Sequence, residues 1–70
     1  MPCPATIRRG ASGPIVVNLQ TRLTQAGWPL ASDGQFGSQT EGAVKGFQAS
    51  RNLVKDGIVG PATWAALGAC

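Results

Sequence analysis

The stretch SDGQFGSQT, Ser32 to Thr40, returns twenty-three residues later as KDGIVGPAT, Lys55 to Thr63. In a chain of 70 residues that repeat constrains the fold more than any other feature. Aligned, the copies set Asp33 on Asp56, Gly34 on Gly57, Phe36 on Val59, Gly37 on Gly60 and Thr40 on Thr63. Asp-Gly forms turns readily, because aspartate can bond its own downstream backbone and glycine takes a positive φ without a Cβ clash. The apolar residue that follows can anchor the turn in a core, and the second glycine fits a helix N-cap. The threonine then falls in the first helical turn, where its hydroxyl can reach back to the loop. The repeated unit reads as a turn that launches a helix.

Apolar periodicity supplies the helices. Val16, Leu19, Leu23 and Ala26 draw one stripe and predict a first helix over Pro14–Ala26, with Pro14 at the first helical position and Gly27 in the left-handed site beyond the last turn. Ala43, Val44 and Phe47 predict a second over Ser38–Ser50, with Glu41 and Lys45 as an i,i+4 pair. Gly42 and Gly46 lie four apart on it, either to admit another backbone or merely tolerated. A short third helix starts at Pro61, carries Trp64 and Leu67, and stops at Gly68. Strand-like alternation is lacking, although Gly57-Ile58-Val59 could make a brief extended contact. The expectation is one all-α domain over 1–70, with a core from about 7 to 67: a small three-helix bundle with an internal turn-helix repeat.

A chain this short buries only about 60% of the surface its unfolded form exposes, so an enclosed active-site cavity is not expected. Histidine is absent, and the carboxylates are Asp33, Glu41 and Asp56, two of them claimed by turns. Catalysis, a metal site and a cofactor are therefore not expected. The net charge of +3 is spread thinly, and Arg8-Arg9, the only local basic pair, is too short for a nucleic-acid patch. The last helix, PATWAALG, has no basic or amide side chain with which to read base edges. No apolar run approaches the roughly 20 residues of a membrane span. MPCPAT has neither the basic nor the apolar region of a signal peptide, which implies an export signal already removed or a module cut from a longer chain. Cys3 and Cys70 stand at the two ends, where a disulfide would staple a thin core; two free thiols are the alternative.

The order of these residues resembles the peptidoglycan-binding domain of bacterial wall hydrolases and phage endolysins. It is carried by Leu19, Gln20, Leu23 and Gly27; by Asp33, Gly34, Phe36, Gly37, Thr40, Ala43, Val44, Phe47 and Gln48; and by Leu53, Asp56, Gly57, Val59, Gly60, Thr63, Trp64 and Leu67. The resemblance spans about Ile7 to Leu67 and implies a secreted, wall-associated, monomeric three-helix module that holds an attached catalytic domain against peptidoglycan. A prodomain or structural appendage of a secreted hydrolase is the alternative. The signature residues themselves are mostly fold-building: Asp33 and Asp56 as turn formers, Gln20 and Gln48 as partners of loop backbone, Trp64 as core. Peptidoglycan offers N-acetyl sugars and stem peptides ending in carboxylates, so candidate contacts combine a ring, amides and positive potential. They are Trp28, read either as a sugar-stacking ring or as a plug over the core; the turn residues Gln35, Gly37, Ser38, Gly57 and Ile58, which lead to helix N-termini; and Arg51. A groove between the two turns is the expected site.

Overall fold

The computed structural model describes residues 2–70. Among them are three helices, α1 (Pro14–Gln25), α2 (Ser38–Ser50) and α3 (Pro61–Ala66), and no strand, the all-α architecture expected. All three helices end in one way: a residue with positive φ follows the C-cap, and the next amide reaches back over the last turn. The bonds are Trp28 N to Leu23 O, Leu53 N to Gln48 O and Ala69 N to Trp64 O, each 2.9 Å. The left-handed residue is Gly27 (φ 97°), Asn52 (φ 58°) and Gly68 (φ 78°) in turn. This closure takes Ala26 and Leu67 as caps, so α1 and α3 stop one residue short of the predicted ends.

Val16, Leu19 and Leu23 of α1 meet Val44 and Phe47 of α2 and Trp64 of α3, and all six are fully buried. The turns contribute Phe36 and Val59, the anchors expected of the repeat, at 2% and 0% exposure. Burying each such side chain is worth roughly 1.5–3 kcal/mol, and this cluster is what opposes the chain entropy of so small a domain.

The N-terminal segment was not legible as structure, yet it ties the molecule together. Ile7 forms an antiparallel bridge with Val59, N to O 3.1 Å and O to N 2.8 Å. Three residues on, Gly10 N donates to Phe36 O at 2.9 Å and Phe36 N to Ala11 O at 3.0 Å. One segment, bent by a turn at Arg9-Gly10, thus pairs with both repeat turns in succession. The extended contact expected at Gly57-Ile58-Val59 exists, with Ile7 as its partner. Nearer the end, the Trp64 indole donates to Ala5 O at 3.1 Å, and Cys3 and Cys70 are joined in a disulfide with Cα atoms 4.7 Å apart.

Two expectations on α2 are revised. Glu41 pairs not with Lys45 but with Arg9, at 3.6 Å. Gly57 of the second turn sits where its missing Cβ would lie 3.1 Å from Lys45 Cε and 3.2 Å from Glu41 Cγ, so those side chains flank the turn. Of the two glycines, Gly46 admits a ring and not a backbone, since a Cβ there would lie 2.5 Å from the Trp28 ring, whereas one on Gly42 would meet nothing and that glycine is merely tolerated.

Candidate ligand-binding site

The repeat is built around a buried glutamine in each half. Gln20, on α1, is 1% exposed and lies under the first turn. Its amide nitrogen donates to Asp33 Oδ1 (3.0 Å), Gln35 O (3.1 Å) and Thr40 Oγ1 (3.1 Å), while its oxygen accepts from Gly34 N at 3.0 Å. Gln48, on α2, does the same under the second turn, bonding Asp56 Oδ1 (3.1 Å), Ile58 O (2.9 Å), Thr63 Oγ1 (3.1 Å) and Gly57 N (3.0 Å). A side-chain amide suits this position because it donates and accepts at once. Helix α2 therefore serves twice, launched by the first turn and clamping the second.

Both aspartates complete their turns by accepting a backbone N–H two residues on, from Gln35 and from Ile58, each at 2.9 Å. These bonds stabilise the charged form. The carboxyl of Asp33 is held below the ordinary 3.8 by the Gln35 amide and then by Gln20. That of Asp56 is lowered by the Ile58 amide, with partial desolvation acting against it and Gln48 adding to the effect.

Each turn opens onto its own surface depression. The first, about 240 Å³, is walled by Leu30, Ala31, Gln35, Gly37, Ser38 and Gln39, with Asp33 exposed among them and Gln20 and Thr40 buried behind. The second, about 370 Å³, is lined by Leu53, Val54, Ile58, Gly60, Pro61 and Ala62, with Asn52 and Asp56 exposed among them and Gln48 and Thr63 buried behind. Shifted by twenty-three residues, the walls of the first become those of the second one for one. The chemistry has diverged: Gln35, Ser38 and Gln39 are replaced by Ile58, Pro61 and Ala62. A third depression, about 410 Å³, is lined by Trp28, Pro29, Leu30, Gln39 and Ala43, and shares Leu30 and Gln39 with the first.

The seven candidate residues are thus divided. Trp28, Gln35, Gly37 and Ser38 fall on the joined first and third depressions, with Trp28 half-buried against Gly46. Ile58 lines the second, and Gly57 is buried. Arg51 lies elsewhere, its guanidinium carbon 5.1 Å from the Phe47 ring centroid, a cation–π cover over the core. The groove imagined between the turns is crossed by the 7–12 segment, which hydrogen-bonds to both. Gln39 lines both the first and third depressions and was not among the sequence candidates, although it stands beside Ser38 at the start of the helix.

The depressions lie open at the surface of the three-helix unit. Residues 12–67 match the family described as "Putative peptidoglycan binding domain", and the chain belongs to that family. It is 48% identical over 64 residues to the zinc D-Ala-D-Ala carboxypeptidase of Streptomyces albus G, covering 84% of this chain and 24% of the enzyme. Among solved structures it superposes on the Burkholderia AP3 phage endolysin with TM-score 0.90 at 48% identity, over 93% of this chain and 25% of that one. It also superposes on the SleB N-terminal domain, with TM-score 0.87 at 40% identity, over 91% and 89%. The chain spans about a quarter of the carboxypeptidase and of the endolysin; it corresponds to a binding part and not to a catalytic one.

Proposed function

We propose that the chain binds bacterial peptidoglycan without altering it, and that in its parent protein it holds a secreted hydrolase against the wall. The observation that carries the site is the junction of the Trp28 depression with that of the first turn at Leu30 and Gln39. This one surface offers a partly exposed indole for a sugar or alanyl face, the side-chain amides of Gln35 and Gln39 for N-acetyl or peptide groups, and the Ser38 hydroxyl. It also holds the start of α2, where Gly37 supplies no side-chain cap and leaves first-turn N–H groups for a carbonyl or carboxylate. The matching depression at the second turn lacks those amides and that hydroxyl, which favours the first for N-acetyl and peptide-backbone groups. Ligand-contact roles for Trp28, Gln35, Gly37 and Ser38 are kept on this basis, and Gln39 joins them.

An open surface of this kind binds weakly, and retention grows when a tethered enzyme raises the effective concentration. The test is co-sedimentation with purified wall sacculi, joined to a chemical-shift titration with defined muropeptides. Retention is expected, with shifts at Gln35, Ser38, Gln39 and the Trp28 indole. Gln39→Ala, at an exposed position on α2, should weaken binding several-fold at unchanged melting temperature. Absence of retention together with absence of shifts would favour the prodomain or appendage reading.

A further inference from the structure

The second depression has kept the geometry of the first and lost its hydrogen-bonding walls. Ile58, Pro61, Ala62, Leu53 and Val54 make it apolar, and Val54 is 78% exposed, the most exposed large hydrophobic residue described. Its buried polar groups are engaged within the protein, because the Gln48 amide bonds both the Thr63 hydroxyl and the turn. One charge remains at the slot. Asp56 Oδ1 takes both of the protein's bonds, from Gln48 and Ile58, which leaves Oδ2 for a ligand. The single ion pair among the described residues joins Arg9 to Glu41, and Asp56 is in none. An anion is disfavoured here: it would meet this carboxylate, and Pro61 opens α3 without an N–H to offer.

A second observation points the same way. The left-handed residue that closes α1 is Gly27 and the one that closes α3 is Gly68, but α2 is closed by Asn52 at φ 58°. Glycine takes that conformation without steric cost, whereas asparagine bears some. Asn52 is among the residues that line the slot, and it brings a carboxamide to that lining.

We propose that this slot binds a primary alkylammonium group on an apolar stem, the end of a diamino-acid side chain in the wall's stem peptide. The methylenes lie along Val54, Ile58 and Pro61, and the ammonium meets Asp56 Oδ2 and the Asn52 carboxamide. The naming of a stem peptide rests on the wall-binding reading above; the fit to an aliphatic amine rests on the slot.

The experiment titrates the isotope-labelled chain with a synthetic stem peptide whose diamino acid has a free terminal amine, and with the same peptide acetylated at that amine. n-Pentylamine and 1-pentanol serve as minimal probes of stem with and without charge. Shifts at Asn52, Val54 and Ile58 are expected for the free-amine peptide and for pentylamine, with binding at least about threefold weaker after acetylation, the scale of a part-exposed ion pair. Asp56→Asn keeps an oxygen for the Ile58 and Gln48 bonds and should show that same loss. Asn52→Gly should melt no lower than the parent and still bind the free amine more weakly, which a purely structural asparagine would not do. Equal binding of the acetylated peptide, or of pentanol and pentylamine, overturns the assignment. So does retention on sacculi with the slot silent to every amine, an outcome that leaves wall binding intact. Amine shifts at the slot without retention on sacculi would instead remove the stem peptide as the source and overturn the proposal at that step.

Discussion

Gln48 is the residue on which the second turn depends, and Gln20 its counterpart on the first. Each is buried with its amide bonded to two side chains and two backbone groups, so truncation strands several polar groups together. An unsatisfied buried group costs about 1–3 kcal/mol, and a chain of this size has only about 4–10 kcal/mol in all. Gln48→Met should therefore lose about 3 kcal/mol in urea unfolding. Gln48→Glu should be worse near neutral pH, because the introduced carboxylate faces Asp56 and cannot donate, and it should recover in part on acidification. The aspartates give the parent the opposite trend. Their folded pKa values lie below the ordinary aspartate value of 3.8, so the stability they contribute is present above that value and is lost as pH falls through the folded pKa. A melting temperature level from pH 7 to about 5 and falling below about 4 is expected, with a shallower fall in Asp33→Asn/Asp56→Asn. The turn-forming roles of these residues were legible because Asp-Gly chemistry is local. The clamp was legible only as a preference for backbone partners, since the spacing from Gln20 to Asp33 says nothing about which atoms meet.

At the level of elements, the two glycines of α2 separate helix propensity from packing. Nothing stands near a Cβ at Gly42, which is exposed. Gly42→Ala should stabilise by up to about 1 kcal/mol, the propensity difference in a helix interior. Gly46→Ala gains the same propensity and drives a methyl into the Trp28 ring, at 2.5 and 2.7 Å from two ring carbons. Overpacking of that kind costs about 1–3 kcal/mol. The net expectation is a loss, accompanied by a red shift of indole emission as Trp28 is pushed outward, while Trp64 stays buried. Equal stabilisation by both substitutions would show that the ring swings aside freely. Helix positions followed from periodicity and from Pro14, Gly27 and Pro61. The role of Gly46 did not, because Trp28 lies beyond the end of α1 and only the chain's return across α2 brings them together. The candidate surface was divided for a related reason: sequence placed the two turns side by side, but not the segment laid across them.

At the scale of the whole molecule, the chain is closed on itself from its ends inward. The disulfide joins residues 67 apart in sequence, and the strap behind it is held in turn by Trp64 with Ala5, Ile7 with Val59 and Gly10 with Phe36. Cysteine placement made the staple an open alternative, whereas the strap carries no periodicity and was invisible. On the chain-entropy account a loop of this length contributes up to about 4 kcal/mol, which for a domain of this size corresponds to about 20 °C in melting temperature. The strap bonds exist with or without the covalent link, so reduction should destabilise without changing the fold at low temperature. Mass spectrometry with and without reductant should show the gain of two hydrogens. Thermal melts of the reduced chain and of Cys3→Ser/Cys70→Ser should coincide, well below that of the oxidised chain. Helical circular dichroism and retention on wall sacculi should both persist in the cold, because the Trp28–Gln39 surface lies on α2 and the α1–α2 connection, which the disulfide does not touch. If the melt shifts by only a few degrees, the strap alone closes the domain; if wall binding is lost while the helices persist, the N-terminal segment itself belongs to the binding surface.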